Sequence, residues 1–410
     1  MADGRRNHTD AALFRLVDDR MPQAALVRTH LVDAYHGILL TAWIWLAYVP
    51  GFRIFSFLLC LNQVIFTDCL MVFRLEGGIP KPRHGFCIMN KILITGGSGF
   101  IGTNLVEHYR NLGWDVMNID IARPRNKEHA SFWRNIDIRD TLRLTQECRS
   151  FSPDVILHMA ARTDLGGKTL EDYSSNTDGV SALIEAASNS TCLAKVIFAS
   201  SMLVCPLGYL PKSDQEYCPN TIYGQSKALG EDLIKNMTGN RFDWSIVRPT
   251  SIWGPWFDVP YRDFFSAVSK GRYVHPRGQR IHRSYGFALN ATYQIQKLVE
   301  SPLASQRVFY LADYKPIELQ NWAKMISQHF STPPPREAPL PILKGMAKCG
   351  DFLKGLGLRR IPITSSRLKN LLTDAVYDLA PLQEIAPQPP YSVETAVELT
   401  VNWMKNHLEE

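Results

Sequence analysis

"MNKILITGGSGFIG", residues 89–102, decides the fold. Lys91–Thr95 is a short apolar run expected to form a strand, and Phe100–Leu112 has helical periodicity. Gly96, Gly99 and Gly102 lie between and at the start of that helix, and each has its own use. Gly96 permits a sharp turn, Gly99 lets a pyrophosphate approach the backbone, and Gly102 lets the helix sit close to the sheet. The helix N-terminus, through Phe100 and Ile101, offers free N–H groups and the positive end of a dipole to an anion. The stretch reads like the start of an enzyme, yet 88 residues precede it.

Working outward, Asp115–Asp120 is the next expected strand, ending in Asp120, 18 residues past Gly102. A carboxylate there accepts the ribose hydroxyls of an adenosine and repels a 2′-phosphate, so NAD is favoured over NADP. Arg123, Arg125 and Lys127 follow and could instead serve a 2′-phosphate. The alternation continues. Phe132–Asp137, Asp154–His158, Lys195–Ser200 and Trp244–Arg248 read as strands. Thr141–Phe151, Leu170–Asn189 and Tyr223–Asn236 read as helices. Strands such as "KILIT" and "KVIFAS" are apolar on both faces, as in a parallel sheet covered by helices. The expected class is α/β, a doubly wound Rossmann-like sheet over 89–255. After Pro255 the rhythm breaks, and 256–410 is expected to be a smaller, mostly helical substrate domain, with part of 280–315 returning to the sheet. "PPPREAPLP", 333–341, reads as a rigid connector.

Residues 1–88 carry two uncharged runs, 37–52 and 54–67, separated by Arg53. Each is short for a spanning helix. Three readings stay open: a mis-assigned start with Met89 the true one, a membrane anchor through 37–73, or an extension packed on the enzyme. The expected location is cytoplasmic, tethered to the cytoplasmic face of a membrane if the anchor reading holds. Net charge is +6 with no dense Lys/Arg tract, which argues against nucleic acid. The eight cysteines form no CxxC pair, so no metal site is expected and reduced thiols are the default.

Tyr223 and Lys227 stand four apart at the head of a helix, on one face. An ammonium beside a phenol favours the phenolate, so Tyr223 can take a hydroxyl proton as hydride leaves the same carbon. Lys227 can also bind the nicotinamide ribose. Ser201 follows a strand end facing the ligand crevice and can hydrogen-bond the reacting oxygen, with Ser200 the neighbouring alternative.

"TGGSGFIG", Asp120, "HMAA" (158–161), "FASS" (198–201), "YGQSK" (223–227) and "RPTSIWGP" (248–255) together resemble the extended short-chain dehydrogenase/reductase family, near its NAD-dependent nucleotide-sugar epimerases and dehydratases. The resemblance is strong over 90–300. It implies NAD, a nucleotide-sugar substrate and a homodimer, with Leu170–Asn189 and Tyr223–Asn236 as interface helices. It assigns Ser201, Tyr223 and Lys227 to catalysis, and Asp137 and Ile138 to the adenine. Met159, Ala160 and Ala161 would line the cofactor, and Asn176 would be a structural and cofactor-side asparagine. Pro249 and Thr250 would lie near the nicotinamide amide, with Thr250 also reaching substrate, and Arg283 would grip the diphosphate. Departures narrow the chemistry. Met202 and Leu203 stand where dehydratases carry acids and sugar-acid decarboxylases a glutamate, and neither residue moves a proton. Cys205 lacks an evident histidine partner for double epimerisation. Ser251, Leu289 and Asn290 also replace common family residues. The expected activity is 4-epimerisation through a transient keto-sugar. A keto-sugar reductase or hydroxysteroid-type dehydrogenase, and a membrane-tethered NAD-binding scaffold, are the alternatives.

Overall fold

The computed structural model describes residues 90–408 apart from 238, 240 and 359–362. The readings made for 1–88, including membrane contact through 37–73, lie outside the described residues.

Seven parallel strands form the main sheet. In chain order they are β1 (Lys91–Thr95), β2 (Asp115–Asp120), β3 (Trp133–Asn135), β4 (Val155–His158), β5 (Lys195–Ala199), β6 (Asp243–Pro249) and β7 (Arg307–Leu311). Their spatial order is β7-β6-β5-β4-β1-β2-β3, so the order reverses between β1 and β4. In sheets of this kind ligands bind at the carboxyl ends of the strands at such a reversal. Period-two alternation fills both faces. Ile92, Ile94, Val155 and Leu157 join one buried cluster, while Leu93, Ile156, Val196 and Phe198 join the other. Each such aliphatic side chain contributes about 1.5–3 kcal/mol on burial.

The flanking helices are α1 (Phe100–Asn111), α2 (Thr141–Phe151), α3 (Ser174–Ser188), α4 (Ile222–Lys235) and α5 (Ala288–Glu300). β7 pairs in parallel with β6 from Arg307↔Ser245 to Leu311↔Pro249. This segment falls inside 280–315. α5 is the crossover that returns the chain to the sheet.

Three details differ from the sequence reading. Phe132–Asp137 is not one strand: Lys127–Phe132 is a 3-10 helix and only Trp133–Asn135 pairs with β2. The Trp133 indole N–H donates to Asp120 O at 2.8 Å, and the Asp137 carboxylate accepts from Arg139 N at 2.9 Å. Asp140 then caps α2 through Arg143 N, so the chain turns rather than extends. The expected connector at 333–341 contains Arg336–Ala338, which pairs with Val274–Pro276. Leu170–Asn189 begins with a separate 3-10 turn, Glu171–Tyr173, before α3.

Beyond the sheet, an aromatic core gathers Trp253, Phe257, Phe265, Phe287 and Trp322. Two further helices matter below, α6 (Leu340–Gly355) and α7 (Ser365–Leu372). Among the described residues, no helix is long and apolar enough to cross a membrane.

Candidate functional site

The glycine turn joins β1 to α1. Gly96 has φ +71°, and a Cβ there would stand 2.5 Å from Ala160 N. A Cβ on Gly102 would strike the Gly96 carbonyl. Packing alone therefore demands these two glycines. Gly99 is different. Its φ is −76°, and a Cβ would meet only Gly96 O, at 3.2 Å. Its bareness serves the open side of the turn. No side chain caps α1, and its first turn carries no acid, so the amides there suit an anion. The residues thus fit a dinucleotide pyrophosphate.

A pair of substitutions separates the two roles. Gly99→Val should leave the melting temperature near wild type and weaken NAD binding at least tenfold. Gly102→Ala should destabilise the fold by about 1–3 kcal/mol through overpacking. Thermal melts with NAD titration check both, and wild-type affinity in Gly99→Val would overturn the role given to Gly99.

Asp120 sits at the end of β2 beside this turn. Its carboxylate accepts from Ser98 N at 3.0 Å and Ala122 N at 2.9 Å. Burial raises its pKa, with those amides pulling the other way. Arg125, a candidate for a 2′-phosphate, is otherwise engaged. It donates to Ser98 O (3.2 Å) and Trp256 O (2.9 Å) and pairs with Asp258 at 3.3 Å. It straps the glycine turn to the segment after β6.

Ser201, Tyr223 and Lys227 come together. Ser201 leads out of β5 and its Oγ accepts from Leu203 N at 3.1 Å, starting a 3-10 turn. Thr221 caps α4 through Gly224 N, which places Tyr223 and Lys227 on the buried side of its first turns. Gly224 is bare because a Cβ would strike Leu203 O. Burial raises the Tyr223 phenol, and a hydrogen bond with Ser201 pulls it down. The lysine does not act on the phenol as the sequence reading expected. Its Nζ donates to Ala199 O at 2.9 Å, and burial lowers its pKa to about 8 despite the charge of Glu231.

Beneath the pair lie residues that sequence reasoning did not single out. Thr95 Oγ1 accepts from Ala160 N (3.3 Å) and shares a hydrogen bond with His158 Nδ1 (2.8 Å). His158 Nε2 is buried without a partner. Burial and then Lys227 lower His158 to about 3, so it is neutral. A small void is lined by His158, Asn176, Lys227 and Glu231. Glu231 stands one turn beyond Lys227 and is locked to Arg248, two bonds of 2.8 Å. The spacing Lys227–Glu231 was the available signal, since i and i+4 share a helix face.

The other named residues are placed as follows. Asn176 Nδ2 donates to Arg162 O (3.0 Å) and Ser226 Oγ (2.9 Å), while its Oδ1 accepts from Arg162 N (2.9 Å). It pins the loop after β4, which carries Met159, Ala160 and Ala161, to α4. Pro249 ends β6, and Thr250 Oγ1 donates to Leu311 O at 2.9 Å. The Asp137 carboxylate is held by Arg139, and Ile138 is buried in the core. Arg283 lies away from the Ser-Tyr-Lys cluster's own bonds. It donates to Asn370 O and, at 3.2 Å, to Thr373 O at the end of α7. Asn290, where an acid is usual, donates to Asp313 at 2.8 Å. Cys205 donates to Glu216 O at 3.4 Å and has no histidine bonded to it among the described residues.

Residues 92–270 match the NAD dependent epimerase/dehydratase family. One similar protein is the N-acetyl-alpha-D-glucosaminyl-diphospho-ditrans,octacis-undecaprenol 4-epimerase of Escherichia coli O157:H7. It is 22% identical over 330 residues, covering 78% of this chain and 97% of that protein. The 3-beta-hydroxysteroid dehydrogenase of Mycolicibacterium neoaurum is 25% identical over 58% of this chain and 69% of its own length. Among solved structures, UDP-glucose 4-epimerase of Thermotoga maritima with UDP-glucose superposes with a TM-score of 0.61 at 19% identity. It covers 78% of this chain and 100% of that one.

Proposed function

From a chain that belongs to the NAD-dependent epimerase/dehydratase family, and is an NAD-dependent enzyme of the extended short-chain dehydrogenase/reductase type, we propose a 4-epimerase acting on a nucleotide sugar. One observation carries the reading. Ser201, Tyr223 and Lys227 converge, while the adjoining Met202 and Leu203 supply no second acid or base.

NAD, which the glycine turn, the α1 amides and Asp120 would hold, would supply a reversible hydride acceptor. Tyr223 takes the proton of the C4 hydroxyl as hydride leaves C4, and the C–O bond becomes C=O. Ser201 holds the reacting oxygen. Lys227, with Ala199 O occupying one donor, offers its remaining N–H groups to the nicotinamide ribose. The keto-sugar would turn in the site to present its other face, and Tyr223 would give the proton back to the C4 oxygen. Net redox change is zero.

The second reading, a hydroxysteroid-type or keto-sugar oxidoreductase, is favoured by the likeness to the dehydrogenase relative. Incubation with UDP-glucose and UDP-N-acetylglucosamine, followed by proton NMR at C4 and by absorbance of reduced cofactor, separates them. The epimerase reading expects an epimer mixture without stoichiometric NADH. One NADH per product, or no epimer from any sugar nucleotide, would defeat it.

The assembly we propose is a homodimer through α3 and α4. Leu229 and Leu233 on α4 are each 39% exposed, which supports an apolar partner for that helix. The location we propose is cytoplasmic, with 37–73 as a membrane contact supported by their uncharged runs.

A further inference from the structure

α6 has two apolar faces, and only one is covered. Leu343 and Ala347 are buried and pack against Leu368 of α7. On the neighbouring flank, Ile342, Met346, Leu353 and Leu356 recur at helical spacing and are 57%, 51%, 39% and 64% exposed. Cys349, also exposed, completes that row at the intervening turn. Phe352, 67% exposed, crowns the outward surface, and Lys344 and Lys348 line its far side. The helix's acidic residue, Asp351, is occupied: its carboxylate accepts from Ser365 N at the start of α7.

Charge identifies the occupant. Residues 340–372 hold seven Lys and Arg and one Asp, a net of +6. The whole chain's net charge is also +6, from 45 basic and 39 acidic residues, leaving 38 of each elsewhere. The chain's entire excess of positive charge therefore sits on the segment with the bare apolar row. An apolar row beside a lysine row on one exposed helix is the pattern of a helix lying in the plane of an anionic lipid surface. A second copy packed about a twofold axis would bring like charges together.

We propose that α6 docks the protein on an anionic membrane surface, its apolar row sunk among the acyl chains and its lysines on the headgroups. This inference is independent of the epimerase reading, since it is measured by binding and not by turnover.

The test uses the full chain with phosphatidylglycerol-containing and pure phosphatidylcholine vesicles. Met346→Glu with Leu353→Glu should weaken cosedimentation with the anionic vesicles at least tenfold, as should Lys344→Glu with Lys348→Glu. Turnover of a water-soluble substrate should be unchanged. Hydrogen exchange on the wild-type chain gives a reading that needs no variant. Amides of 340–356 should become protected by anionic vesicles and not by phosphatidylcholine. Three results would overturn the proposal: vesicle binding insensitive to both pairs of substitutions, protection that rises with protein concentration without lipid, or protection already complete in dilute lipid-free protein. The second would assign the face to another copy, and the third to a segment of the same chain.

Discussion

Tyr223→Phe is expected to lower turnover by about 10²–10⁴-fold, the usual worth of a positioned acid–base group, with NAD affinity within a factor of a few of wild type. The hydroxyl is the only atom removed, and the ring keeps its place beside Tyr173, centroids 6.0 Å apart. The glycine turn and Asp120 are untouched, so the dinucleotide should still bind. The phenol is buried, and burial raises its pKa, opposed by Ser201. Ser201→Ala should therefore also slow turnover and move the rising, acid-side limb of the pH–rate profile to higher pH, because the tyrosine loses the bond that favours its ionised form. Steady-state kinetics and a cofactor titration on both variants check this. Full activity in Tyr223→Phe would remove the tyrosine from the chemistry.

The doubly wound core was legible in the sequence because strand and helix periods are local properties. "KILIT" must bury both faces, and Gly102 is demanded by a contact within the turn itself, whereas the contact that demands Gly96 is with Ala160, after β4. Tyr223 and Lys227 were legible for the same reason, since one helix carries both. What escaped was set by distant parts of the chain. The resemblance marks Asn176 as structural but not its partner: Asn176 closes the loop after β4 onto α4 through a serine 50 positions away. Arg125 reads as a phosphate ligand until Trp256 and Asp258 are folded against it. Arg283 aligns with a ligand position, yet its guanidinium reaches the carbonyls of α7, a helix some 90 residues on. The expectation that Lys227 would acidify Tyr223 assumed contact from spacing alone. The fold turns the ammonium to Ala199 O instead.

Glu231→Gln is expected to cost about 3–5 kcal/mol of stability, the largest effect of any single change considered, because it leaves a buried guanidinium without its counter-charge. Arg248 and Glu231 side chains are both 0% exposed. Burial pushes the Glu231 carboxyl up, but the hydrogen bonds and charge of Arg248 outweigh it and hold the group below its ordinary range. The same carboxylate accepts from Ser200 Oγ at 2.6 Å and Tyr217 Oη at 3.0 Å, so it ties β5, β6 and α4 together directly below Ser201 and Lys227. Exposed pairs such as Lys297–Glu300 have no such leverage, since water replaces either partner at little cost. Double replacement, Glu231→Leu with Arg248→Leu, should be much less damaging than the sum of the single changes, because no fully buried charge is left orphaned and Lys235, the other cation on Glu231, keeps Tyr217 Oη and Asp214 O as partners. Urea denaturation of the two single variants and the double variant measures the coupling directly. Additive losses would mean the pair is not interacting as drawn. A loss under about 1 kcal/mol in Glu231→Gln would mean that water reaches Arg248.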